Sequence, residues 1–199
     1  SAASDVYKRQ IQTALDEVDK ATGDLSLNSL LNDIDNNPDV QTTLRQKAEQ
    51  AENELFVRIW SNYPASEWDY SALEEGLSPA RFPNETVVLI IAALTLNILH
   101  RYDEKKLDML LTVYSASEEE EIRQRALCSA LILFFIYRKR VNLSPALTAH
   151  IEALKEEDRF SRDVRNIFLQ LIKSRETERI SRKSVSYTHL RAHETSQDL

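Results

Sequence analysis

The chain has 199 residues, a formal net charge of −7, 42% hydrophobic and 29% charged residues, which suits one domain or a piece of a repeat array. Two glycines and five prolines leave almost no material for strand turns, phosphate-cradling loops or nucleophile elbows, so a sheet-rich fold is set aside in favour of an all-helical one. The single cysteine, Cys128, excludes an internal disulfide framework and fits a reducing, cytoplasmic compartment, and its place in an apolar run reads as a buried structural thiol.

After a polar opening, Leu27, Leu30, Leu31 and Ile34 form one short amphipathic pair of turns, which Asn36-Asn37-Pro38 breaks. Val40, Leu44, Ala48, Ala51, Leu55 and Ile59 keep a three-to-four spacing and predict one long amphipathic helix that ends near Tyr63-Pro64. The stretch from Pro64 to Pro83 is aromatic and irregular. Within it, Ser71 and Glu74 suggest a capping box for a short helix that Gly76 ends. Trp60 and Trp68 admit a ligand-stacking reading, and packing beneath a connecting loop is favoured over it.

Asn84 is the expected N-cap of a helix whose interior, VVLIIAALTLNIL, is apolar nearly all round and so expects neighbours on both sides. Asp103 is placed to cap the next helix, with Leu107, Leu110, Leu111 and Tyr114 facing inward. Ser117 and Glu120 suggest a second capping box, and the acidic run 118–121 suits a helix N-terminus. That helix is expected to continue to about Tyr137, with Arg138, Lys139 and Arg140 at its C-terminal end. Ser144-Pro145 gives an N-cap followed by proline at the first helical position. A final helix carries Val164, Ile167, Phe168, Leu171 and Ile172 on one stripe. His100 and His150 read as helix-end residues.

Residues 87–99 and 126–137 are both strongly apolar, and each leads through a short charged turn into a weaker amphipathic segment. Superposing Ala93-Leu94 on Ala130-Leu131 aligns the two units at a period of roughly 37 residues, typical of stacked helical hairpins. The expected fold is therefore all-α: stacked antiparallel hairpins, a HEAT-like or TPR-like α-solenoid fragment, preceded by the long amphipathic helix. Neither apolar stretch reaches the roughly 20 residues that span a bilayer. No secretory signal is visible in the first ten residues.

The stretch from about Glu54 to Lys183 resembles the helical middle region of large bacterial proteins that carry tetratricopeptide repeats nearer their C-termini. The residues that carry the likeness are LFVRIW (Leu55–Trp60), ALTLNILHRYDEKKLDMLL (Ala93–Leu111), IRQRAL (Ile122–Leu127) and IFLQLIKSRETERISRK (Ile167–Lys183). The resemblance implies a scaffold, an uncharacterised family and no catalytic residues to carry over. Both ends, SAASDVYKRQ and VSYTHLRAHETSQDL, resemble translated sequencing-adapter read-through at the ends of metagenomic sequences. On that likeness residues 1–10 and 184–199 are tails, 11–83 holds the N-terminal helices with the aromatic connector, and 84–183 is the repeat region of a fragment cut from a longer frame. His189 and His193, spaced to share a helix face, fall in the tail and lack a third ligand, so no metal site is assigned.

Charge is unevenly spread: residues 121–183 hold 14 Lys/Arg against 8 Asp/Glu, and the remainder 11 against 24. The leading expectation for function is a non-enzymatic scaffold for protein–protein interaction, with protein partners of unknown identity. The alternative is nucleic-acid-backbone binding by the basic region. Its candidate surface residues are Arg123, Arg125, Arg138, Lys139, Arg140, Arg162 and Arg165. Phe168 is a candidate for self-association through the C-terminal helix. No catalytic residue, cofactor or membrane partner is assigned.

Overall fold

The structure, a computed structural model, describes residues 10–31 and 38–194, with residues 179–194 described by backbone alone. Among these residues the protein is all-helical, with no strand. The helices are α1 (Gln10–Leu31), α2 (Pro38–Trp60), α3 (Glu67–Gly76), α4 (Asn84–His100), α5 (Glu104–Ala116), α6 (Glu120–Val141), α7 (Pro145–Lys155) and α8 (Asp158–Glu194). The described residues divide into two compact units, one up to Glu152 and one from Ala153 on.

Within the first unit α1 lies along α2 and α5 lies along α6. The even helices touch in succession, α2 on α4 and α4 on α6, and so do the odd ones, α1 on α3 and α3 on α5. α4 sits between two neighbours and buries Val87, Ile90, Ile91, Ala93, Leu94 and Ile98, leaving only a narrow exposed strip that includes Leu96. Each of the buried Val, Ile and Leu side chains among them contributes roughly 1.5–3 kcal/mol by leaving water. α6 is different. Its Ile122, Ala126, Leu127, Ala130 and Leu133 are buried, whereas Ile132, Phe135 and Ile136 on its other side are exposed. The strongly apolar stretch 126–137 is therefore buried on one face of α6 only.

Local signals place the helix ends, with several shifts. Asp103 caps α5 by accepting from the Lys106 amide at 3.1 Å, and Leu107, Leu110, Leu111 and Tyr114 face inward as expected. Ser144 accepts from the Leu147 amide at 3.1 Å, with Pro145 opening α7. The capping box of α3 is built by Ser66 and Asp69 rather than Ser71 and Glu74. Asn84 is the first residue of α4 rather than its cap, and Ser117 ends α5 instead of boxing α6. Gly76 closes α3, and its lack of a side chain is used. A Cβ there would lie 3.0 Å from Leu15 Cδ2 and 3.3 Å from Ile90 Cδ1, so α1, α3 and α4 converge on it.

The N-terminal reading needs correction. Leu27, Leu30 and Leu31 are exposed, and Ile34 lies outside the described residues. The buried face of α1 is Ile11, Ala14, Leu15 and Val18, in the stretch that reads as polar. Those four keep an i, i+3, i+4, i+7 spacing, and the charges around them mask it. Of its expected stripe α2 buries Ala48, Leu55 and Ile59, half-buries Leu44 and Ala51, and leaves Val40 exposed. α8 runs on to Glu194, past the point where the apolar period fades.

Candidate functional site

A buried lysine ties the first unit together. Lys106 is only 1% exposed, and its ammonium donates to Asn97 Oδ1 at 2.8 Å and to both the carbonyl oxygen and Oδ1 of Asn62 at 3.0 Å. Asn97 Nδ2 in turn donates to the carbonyls of Trp60 at 2.8 Å and Asn62 at 3.0 Å. Asp103 Oδ2 lies 3.9 Å from the ammonium and accepts from the Tyr70 hydroxyl at 2.9 Å. The end of α2, the body of α3, the last turns of α4 and the start of α5 thus meet at one polar hub. An ammonium held out of water is tolerated only when its donors are matched, and here three acceptors meet three donors. Burial pushes the Lys106 pKa down, with Asp103 and Asp69 pulling against that. Burial, followed by the hydrogen bond to Asp103, pushes Tyr70 well above the ordinary tyrosine range.

The hub fixes α3 against α5, and a groove opens along that pair. One part has a volume of 610 Å³ and reaches the first residues of α7, Ala146 and Leu147. A second part of 280 Å³ shares Leu77, Val113 and Ala116 with it and extends to the start of α6. Both volumes are of the size that small ligands and peptide side chains occupy. Leu77, Met109 and Val113 make the floor. The rim carries Glu67, Glu74, Glu104, Asp108, Glu118 and Glu119. Lys105 is the one cation among the described lining residues, and it is already engaged, 2.7 Å from Glu67 and 4.7 Å above the Tyr70 ring.

The basic residues singled out from sequence do not gather into one patch in the first unit. Arg123 folds back on the start of its own helix, donating to the carbonyls of Ser117 and Glu118. Arg125 lies 3.5 Å from Glu121. Arg138, Lys139 and Arg140 are exposed at the far end of α6, with Arg140 stacked 5.3 Å from the Tyr102 ring centre. Arg123 and Arg138 are separated by about 22 Å of helix. In the second unit Arg162 lies 3.8 Å from Asp163, Arg165 is exposed, and Phe168 is 52% exposed.

Other expectations shift as well. Trp60 and Trp68 are about half exposed rather than packed beneath the connector, where Phe82 is the buried aromatic. Cys128 is half-buried. His150 lies within α7, its Nδ1 2.7 Å from Asp108, so it pairs with a carboxylate on the groove instead of capping a helix end. The side chains of His189 and His193 lie outside the described residues. Among the described residues no cluster of His, Cys, Asp and Glu has the makings of a metal site, and no helix is long and apolar enough to cross a membrane.

Sequence reasoning missed the hub because Lys106 reads as one more charge in a turn. The signal was Asn97, an amide inside an otherwise apolar helix, which demands a partner. Comparison with known protein families, curated proteins and solved structures gives no match.

Proposed function

We propose that the chain is a non-enzymatic helical-repeat scaffold, HEAT-like or TPR-like in style, that binds other proteins. One observation carries the reading: helices of the first unit touch in two alternating rows, odd on odd and even on even. Rows of this kind support a stacked-hairpin reading, in which each repeat buries its neighbour's face and leaves an extended surface for partners, while α3 and α4 lack the close pairing that α1 has with α2 and α5 with α6. The groove along α5 is such a surface. The separation of Arg123 and Arg125, both engaged with their own helix, from the exposed trio Arg138, Lys139 and Arg140 weighs against the nucleic-acid alternative, because counterion release over a duplex needs many clustered cations.

Selection from a random-peptide display library tests the proposal. The expected result is enrichment of peptides that share a motif and bind the folded chain but not the urea-unfolded one. No enrichment above a helical control protein of similar size would count against it. Retention on immobilised DNA at physiological salt would favour the alternative.

A further inference from the structure

We propose that the groove along α5 binds a Lys/Arg-rich amphipathic helix, seating one or two apolar side chains on its floor. The inference rests on the scaffold reading and specifies the partner.

Shape supplies the first argument. The groove runs the length of α5, from Glu104 to Ala116, or about 18 Å at 1.5 Å per residue. A helix of about 12 residues matches that length. The floor of Leu77, Met109 and Val113 offers apolar contact to side chains spaced along one helix face.

Charge supplies the second. The floor sits between carboxylates contributed by four segments: Glu67 and Glu74 from α3, Glu104 and Asp108 from α5, Glu118 from the following turn, and Glu119 at the start of α6. Internal pairing accounts for some of them. Glu67 is held by Lys105, Glu104 by the Ser144 hydroxyl and Asp108 by His150. The Glu74 carboxylate makes no hydrogen bond or ion pair among the described residues, and Glu118 uses its backbone carbonyl, not its carboxylate, toward Arg123. An acidic rim of this kind attracts cations and repels acidic or neutral-apolar competitors through like-charge contact and uncompensated desolvation. A small apolar ligand would leave the rim unanswered, and an acidic peptide would be opposed at both ends.

Fluorescence anisotropy with three labelled 12-residue peptides tests this on the full chain. One has Lys and Leu in helical spacing, one replaces Lys by Glu, and one replaces Leu by Ser. Only the Lys/Leu peptide is expected to bind, and its affinity should fall as salt shortens the Debye length from about 10 Å. Glu74→Lys changes an exposed rim charge, and Thr112→Trp fills the groove from an exposed position without changing charge. Each should weaken binding about tenfold or more, with circular dichroism unchanged. Equal binding of the Glu/Leu peptide, indifference to both substitutions, or no binding of any peptide would overturn the proposal. In each case motif enrichment in the display selection would leave the scaffold reading standing, and only its absence would remove both.

Discussion

Replacing Lys106 by methionine isolates what the buried ammonium does. Methionine keeps an unbranched stem of similar length, so the cavity term stays small while three hydrogen bonds disappear. The Asn62 carbonyl still accepts from Asn97 Nδ2, so two acceptors are left without a donor, Asn62 Oδ1 and Asn97 Oδ1. Orphaned buried groups cost about 1–3 kcal/mol each. Removing the ammonium recovers its desolvation cost, and apolar replacement of a whole buried ion pair is sometimes neutral for that reason. Here the partners are amide and carbonyl groups that remain in place, so loss wins over recovery. The expected net destabilisation is about 2–4 kcal/mol, a large share of the roughly 5–15 kcal/mol typical of a domain. Urea unfolding followed by circular dichroism reads it as a lowered midpoint at unchanged slope. Lys105→Met, one residue away in an exposed ion pair, should cost at most about 1 kcal/mol. Combining Lys106→Met with Asn97→Leu should cost less than the sum of the two alone, because they share partners. A Lys106→Met protein as stable as the Lys105→Met one would refute the hub as the tie between α2, α3, α4 and α5.

Three further outcomes are expected. Gly76→Val should destabilise by about 1–3 kcal/mol in the same assay, because a side chain there meets Leu15 and Ile90 at contact distance or closer; a neutral result would show that α1 is free to shift. Tyr70→Phe should remove part of the alkaline sensitivity of unfolding. The folded protein holds the Tyr70 proton more tightly than the unfolded chain, so that stabilisation is complete below pH 10 and drains away as pH climbs toward the raised folded value. Lys106 shifts the other way, so stability gains with pH between its lowered folded value and 10.5. Because both proteins retain Lys106, the difference between their pH profiles isolates Tyr70, and identical profiles above pH 10 would contradict the assignment. Finally, the half-exposed Phe168, with Leu169, Leu171 and Ile172 also exposed, should drive concentration-dependent association in light scattering. Phe168→Glu should reduce it, and a strictly monomeric wild type would contradict that expectation.

How far sequence leads depends on whether a residue's role is local. The caps at Asp103 and Ser144 are legible because one side chain and one amide three residues on decide them. The inward face of α5, and that of α2 at Ala48, Leu55 and Ile59, are legible because period and composition agree. α1 misleads, since its most apolar cluster, Leu27, Leu30 and Leu31, is exposed and a sparser set is buried. Which stripe finds a partner is settled by tertiary packing, not by hydrophobicity alone. The groove is illegible for a related reason. Its rim draws on Glu67, Glu74, Glu104 and Glu118, far apart in the chain and each explicable locally as a solvated or capping charge. Only the stacking of α3 on α5 brings them around one floor. The basic stretch shows the converse, because Arg123 and Arg125 are close in sequence on α6 yet engaged with their own helix and set apart along its axis from Arg138.

The most direct test of the scaffold account is an amide NMR titration of the full chain with the peptides enriched by display. The account predicts shifts that saturate with peptide and concentrate on α3, α5 and the first turn of α7, including Glu74, Met109 and Thr112. Spectra that stay unchanged under excess of every selected peptide would contradict it.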